Sequence, residues 1–164
     1  MTLPYWGKWG TLAAVVLMLD GRSIAGWQDA QGFVRVTPEE IRWIAVEGGL
    51  GAQTAVLEGD PAKPGIYVIR MKFPPGVMSR PHTHSEDRHV TVLKGTWWTG
   101  IGTEFRPDAT VPINAGGYMK HPMRGPHFDG AKDGEVILQI VGRGPVGSPR
   151  IRPQDGAYGY SVKQ

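Results

Sequence analysis

The sequence predicts an all-β protein, built as an antiparallel β-sandwich or barrel. Short apolar segments of strand length are separated by Gly and Pro turn signals, and no long amphipathic helical pattern lies between them. The 24 Gly and 14 Pro account for many turns, while the 40% of hydrophobic residues can supply a core. A chain of 164 residues is long enough for one domain with a core and too short for two ordinary ones.

The first 25 residues are predicted to be a signal peptide. Lys8 precedes an apolar run at residues 12–19, and the small residues Ser23 and Ala25 stand where a signal peptidase cleaves. The run is far shorter than the roughly 20 residues needed to cross a bilayer. We therefore expect cleavage after Ala25 and a periplasmic or secreted protein with no membrane anchor. The alternative is a short buried N-terminal helix.

Residues 26–50 are predicted to form an N-terminal arm with a short helical turn. Thr37 is a suitable N-cap, Pro38 suits the first helical position, and acidic residues follow in the first turn. The glycine pair that begins at Gly48 ends any helix quickly.

The barrel itself is predicted to span residues 51–153, followed by a C-terminal tail at 154–164. Apolar alternation between turn signals predicts strands in this span. They cover residues 54–57, 66–73, 90–93, 96–102, 118–119 and 135–141.

Composition excludes several functions. The net charge of +3 is mild and the 18 basic residues are spread along the chain, so a nucleic-acid partner is not expected. The absence of cysteine excludes disulfides, thiolate catalysis and Cys-ligated metal sites.

The histidines carry the chemical signal, because all five lie between positions 82 and 127. In an extended segment, His82 and His84 project from the same face, close enough to share an ion. Neutral imidazole suits Fe, Mn, Ni, Cu or Zn, and the sequence does not select among these divalent transition metals.

The spacing around this pair resembles the first cupin motif with one change. In order, the motif positions are Gly76, His82, His84, Arg88 and Gly95. A second motif should supply a late histidine after a proline turn, and residues 116–127 provide His127 in that place.

Residues 51–153 therefore resemble a single-domain cupin, a double-stranded β-helix whose jelly-roll barrel holds a metal. Segments 55–61, 89–95 and 125–128 further resemble small exported bacterial cupins described as anti-sigma-factor-like. The resemblance implies that His82, His84 and His127 are the metal ligands, that a small molecule is bound, and that homodimers can form through outer strands. The alternative is a barrel that has lost its metal and satisfies the three histidines by hydrogen bonds.

Arg88 departs from the family pattern, which places a glutamate ligand there. A guanidinium has no free lone pair and stays protonated. At ~5 Å from the ion and an effective dielectric of ~20, repulsion would cost about 3 kcal/mol per unit of metal charge. Three solutions remain open: Arg88 turns aside or pairs with Glu86 or Asp87, it clamps an anionic substrate on the metal, or it binds an anion in a metal-free barrel.

His89 and His121 are further candidates for substrate binding or for support of the ligands. His89 should point away from Arg88 in a regular strand, although a bulge could bring it inward. His121 precedes the turn that delivers His127. Arg124 replaces the usual glycine of the second motif, so the loop there should be altered.

The resemblance makes a three-histidine, metal-dependent oxygenase the expected function, acting on a small enolisable or phenolic compound. Arg88 would be the catalytic residue that stabilises the developing anion. A metal-dependent lyase or isomerase, and a non-catalytic small-molecule-binding or sensory cupin, are the alternatives.

Overall fold

The computed structural model describes residues 28–161, so the predicted signal peptide at 1–25 lies outside the described residues. Within this range the chain forms eleven β-strands and three single-turn 3-10 helices. The strands are β1 Ile44–Ala45, β2 Gln53–Glu58, β3 Gly65–Phe73, β4 Val77–His82, β5 Arg88–Lys94, β6 Thr96–Ile101, β7 Val111–Asn114, β8 Tyr118–His121, β9 His127–Gly130, β10 Val136–Gly144 and β11 Tyr158–Tyr160. The all-β prediction is confirmed.

The strands form two antiparallel sheets. The larger sheet has the order β1-β2-β3-β10-β5-β8, and the smaller has the order β11-β4-β9-β6-β7. Strands that are neighbours in a sheet are often distant in sequence, so the chain crosses repeatedly from one sheet to the other. This crossing brings β4 and β9 together, and with them both histidine-bearing segments.

The core lies between the sheets and follows from side-chain alternation. In β10, Val136, Leu138 and Ile140 are buried while the residues between them are partly exposed. Tyr67 from β3 and Trp97 from β6 are fully buried in the same core.

Gly95 shows why a motif glycine is needed at the β5–β6 turn. Its φ of 78° lies in the left-handed region that favours glycine. A Cβ at this position would also overlap the carbonyl oxygen of Glu135. The turn therefore lies directly against the backbone that leads into β10.

The two ends of the described chain pack onto the sheets. The predicted helical turn is the 3-10 helix Pro38–Glu40, where the Thr37 N–H donates to Glu40 Oε2 at 2.8 Å. The short β1 then pairs with β2. Within the segment predicted as a tail, β11 pairs with β4. No helix in residues 28–161 has the length and apolar character required to cross a membrane.

Candidate functional site

A cavity of about 200 Å³ lies between the two sheets. Its polar lining includes His82, His84, Arg88, His121 and Asp129. Its apolar lining includes Met71, Phe73, Val90, Trp97, Leu138 and Ile140. The five polar groups therefore meet among apolar side chains.

His82 and His127 face each other across the β4–β9 pair, with ring centroids 4.4 Å apart. Nδ1 of His82 donates to the Arg80 carbonyl and Nδ1 of His127 donates to the Gly125 carbonyl, both at 2.8 Å. Because a carbonyl only accepts, each Nδ1 carries a hydrogen, and in the neutral form of the ring each Nε2 keeps its lone pair. Within the described chain, the buried Nε2 of His127 has no hydrogen-bond partner.

The loop before β9 positions His127. Arg124 has a φ of 61°, so it adopts the left-handed conformation of the glycine that usually stands there. Its N–H donates to the His84 carbonyl at 2.8 Å, and the Gly125 N–H donates to the Pro122 carbonyl at 3.0 Å. The loop thereby links the two histidine segments and presents the carbonyl that orients His127.

His84 differs from the other two histidines because a guanidinium lies over its ring. Nη1 of Arg88 is 3.0 Å from Nε2 and 3.4 Å from Nδ1 of His84, and the two distances together place Nη1 above the ring plane, away from the in-plane lone pair of Nε2. Nδ1 of His84 also lies 2.9 Å from Ser148 Oγ. A metal ion bound to His84 would therefore stand close to the positive charge of Arg88.

Arg88 enters the cavity from the start of β5, opposite His121 on β8. Its Nε is enclosed and has no hydrogen-bond partner in residues 28–161. Asp87 does not neutralise it, because Asp87 binds Lys120 at 2.7 Å and accepts from the Met123 N–H. Burial lowers the pKa of Arg88, and the neighbouring Tyr67 and Asp129 partly oppose that change.

His121 and Asp129 also belong to the polar lining of the cavity. The ring of His121 lies 3.7 Å from the ring of His127, centroid to centroid, and its Nε2 also lacks a partner among the described residues. One carboxylate oxygen of Asp129, which is only 5% exposed, lies 3.8 Å from Nε2 of His127. Sequence reasoning missed Asp129, although a residue two positions after His127 in a strand shares its face.

His82, His84 and His121 are neutral near pH 7, because burial lowers the pKa of each. Burial lowers the pKa of His82 to about 4 and that of His121 to about 3. Burial, followed by the charge of Arg88, lowers the pKa of His84 as well. Neutral imidazole is the form that binds a metal, so the electrostatics suit ligation.

Two groups of side chains could hold a metal ion, each with its donor atoms within 4.8 Å of one another. The first is the predicted set of His82, His84 and His127. The second combines His127 with His121 and Asp129. His127 belongs to both groups.

His89 lies outside this site. It is exposed on the outer face of β5, where its Nδ1 is 2.7 Å from the hydroxyl of Tyr118. The strand is regular at this point, so the bulge that would have turned His89 inward is absent from the β5–β8 pairing.

Comparison with known proteins relates the chain to others through its fold. The sequence matches no protein-family model, and no curated protein matches it. Solved structures with a similar fold include the polyketide cyclase RemF from Streptomyces resistomycificus, with a TM-score of 0.58 and 20% identity over 70% of this chain and 83% of that chain. KdgF from Halomonas sp. has a TM-score of 0.52 and 21% identity over 73% of this chain and 95% of that chain.

An RmlC-like cupin from Shewanella frigidimarina has a TM-score of 0.53 and 14% identity, covering 67% of this chain and 90% of that chain. These likenesses establish the fold. Together with the two antiparallel sheets, they confirm the predicted cupin β-barrel.

Proposed function

We propose that this cupin-fold protein is a metal-dependent enzyme, an oxygenase that acts on a small enolisable or phenolic compound. The observation that carries the proposal is the state of His127: its Nδ1 is fixed by the Gly125 carbonyl, and its buried Nε2 has no partner within the described chain. An unpaired buried polar atom is costly, and a metal ion would satisfy it.

The residues present fit a divalent transition metal. Nε2 of His127 is available, and it belongs to both donor groups of the cavity. Nε2 of His82 is oriented in the same way by the Arg80 carbonyl. His84, the third predicted ligand, would place the ion beside the guanidinium of Arg88. When bound, such an ion would supply Lewis acidity toward a substrate oxygen and, if redox-active, activation of O₂.

Arg88 would bind and orient the substrate. Its unpartnered Nε and its planar guanidinium can donate to a carboxylate, enolate or phenolate oxygen. The attraction to Arg88 favours the anionic form of the substrate, and this attraction is stronger among the apolar side chains of the cavity than in water. A cavity of about 200 Å³ is smaller than the roughly 300–1,000 Å³ of pockets for drug-sized ligands, so the substrate should be small.

A second candidate function is a metal-free cupin that binds a small anion, as a carrier or sensor. The Arg88–His84 contact favours it, because it sets a permanent cation beside a predicted metal ligand, at the cavity. Elemental analysis separates the two candidates, since this second protein would need no metal.

Export is a separate part of the proposal. The charge and apolar pattern of residues 1–25 support a signal peptide, and with it a periplasmic or secreted cupin of the exported anti-sigma-factor-like group. An exported protein would not meet a cytoplasmic sigma factor, so its role would lie in small-molecule chemistry. Determining the N-terminal residue of the mature protein tests this: a start at Gly26 supports export, and an intact Met1 opposes it.

The reaction type is tested by oxygen uptake. The full chain, loaded in turn with Fe, Mn, Ni, Cu or Zn, would be incubated with a panel of small enolisable and phenolic compounds in air and under nitrogen. We expect oxygen consumption with at least one combination of metal and compound. This consumption should be lost in Arg88→Gln and retained in His89→Ala, whose side chain lies outside the cavity. Turnover that continues under nitrogen would contradict the oxygenase and favour a lyase or isomerase.

A further inference from the structure

We propose that the metal ion is held by His121, His127 and Asp129, and that His84 stays paired with Arg88 instead of acting as a ligand. This inference rests on the proposed function, because it assigns the ligands of the same metal. It replaces the three-histidine set implied by the cupin motifs with two histidines and one carboxylate.

Unpartnered ring nitrogens favour the second set. In this set, Nε2 of His121 and Nε2 of His127 are both buried and unpartnered within residues 28–161. In the predicted set, the guanidinium of Arg88 lies over the ring of His84, with Nη1 3.0 Å from Nε2 and 3.4 Å from Nδ1. Binding an ion at the second set satisfies two unpartnered buried atoms, whereas binding at the first places the ion beside a cation.

Charge also favours the second set of ligands. The predicted set contributes no negative charge, while Arg88 adds a positive charge next to His84. Asp129 contributes a carboxylate that lies 3.8 Å from His127 Nε2. A carboxylate ligand partly neutralises a divalent ion, so it offsets the repulsion that Arg88 creates.

The backbone supports Asp129 as a ligand. Ser79 Oγ donates to the Asp129 carbonyl at 3.0 Å and accepts from the Asp129 N–H at 3.2 Å. His127 and Asp129 project from the same face of β9, in the smaller sheet, and His121 comes from β8 in the larger one. The ion would therefore link the two sheets across the cavity.

Such a set has a recognised chemistry. Two histidines and one carboxylate on one face of an ion leave open positions for substrate and O₂, the arrangement typical of non-haem Fe(II) oxygenases. Arg88 would then stand beside the ion as an anion-binding group and would not compete with it.

The test is a titration of Zn²⁺ into the metal-free full-length protein, followed by calorimetry. Asp129→Asn and His121→Gln should each weaken Zn²⁺ binding by at least about tenfold. His84→Gln should stay within about threefold of the wild type, as should the control His89→Ala, whose ring is outside the cavity. The melting temperature of each metal-free variant shows whether it is folded.

Two outcomes overturn the inference. One is Zn²⁺ affinity within about threefold of the wild type in Asp129→Asn or His121→Gln. The other is a loss of about tenfold or more in His84→Gln, because His84 would then be a ligand.

A second measurement keeps the inference testable if Asp129→Asn or His121→Gln fails to fold. In wild-type crystals soaked with Zn²⁺, the anomalous peak should lie about 2.0–2.2 Å from an Asp129 carboxylate oxygen and from Nε2 of both His121 and His127. A peak bonded to Nε2 of His84 would contradict it. Failure of the proposed function gives a different result. Wild-type protein that binds no metal, or a His127→Ala variant that binds metal normally, would contradict both donor groups at once.

Discussion

Nη1 of Arg88 lies 3.0 Å from Nε2 and 3.4 Å from Nδ1 of His84, so the guanidinium stands over the imidazole ring. A residue that stands at the usual position of a metal ligand thus contacts another predicted ligand. The positive charge of Arg88 therefore bears directly on whether, and where, the barrel holds a metal.

Arg88→Glu should tighten binding of a divalent metal by at least about tenfold. The change removes a cation whose repulsion is on the order of 3 kcal/mol per unit of metal charge, and it adds a carboxylate. Calorimetric titration with Zn²⁺ measures the effect. The neutral variant Arg88→Gln, which removes the charge without adding a ligand, should show a smaller gain. Weaker binding in both variants would contradict this account of Arg88.

The metal-free protein should lose stability in mild acid. Burial lowers the pKa of His82 to about 4 and that of His121 to about 3, from the usual value of 6.5. Between these folded values and pH 6.5, the two histidines bind protons in the unfolded chain but not in the folded one. Stability is therefore present above about pH 6.5 and falls as the pH decreases toward the folded values. The slope should be about 1.4 kcal/mol per pH unit for each such histidine.

Denaturant unfolding in the presence of a chelator, at several pH values between 7 and 5, measures this slope. In a folded His121→Gln variant, the slope should be smaller than in the wild type by about 1.4 kcal/mol per pH unit, the contribution of one histidine. Equal free energies of unfolding at pH 7 and pH 5 in the wild type would show that the histidines are not held neutral by burial.

Gly130→Ala should destabilise the fold, by about 1–3 kcal/mol or more. A Cβ at Gly130 would overlap the Val77 carbonyl oxygen and come within 2.5 Å of Met78 Cα, where β9 packs against β4. Gly134→Ala is the matched control, because a Cβ there meets nothing within 4 Å. Thermal unfolding of both variants tests this, and Gly130→Ala should have the lower melting temperature. Equal melting temperatures would contradict the close approach of the strands.

Sequence patterns predicted the strands that alternate clearly. The predicted strand at 66–73 is β3, and the one at 135–141 corresponds to β10, where buried and partly exposed residues alternate. The strand β4 was missed because Ser79, Arg80 and Pro81 interrupt any apolar alternation. Its conformation is set by pairing with β9, a contact between segments about 50 residues apart that no local pattern reveals.

The proximity of three histidines could be expected from the motif spacing. That spacing predicted His82, His84 and His127 as ligands, and the donor atoms of these three residues lie within 4.8 Å of one another. Two features could be seen only in the folded structure. Asp129 carries no motif signal in the sequence, and the position of the Arg88 side chain against His84 does not follow from the motif spacing. The altered loop expected at Arg124 corresponds to a residue with positive φ, a conformation that the missing glycine would have adopted more readily.

The most direct test of the central claim is the metal content of the aerobically purified protein. Elemental analysis would compare the wild type with His127→Ala and with the control His89→Ala. We predict a transition metal in the wild type and in His89→Ala, at up to one ion per chain, and its loss in folded His127→Ala. A wild-type protein that contains no metal, and takes up none when Fe, Mn, Ni, Cu or Zn is added, would contradict the account.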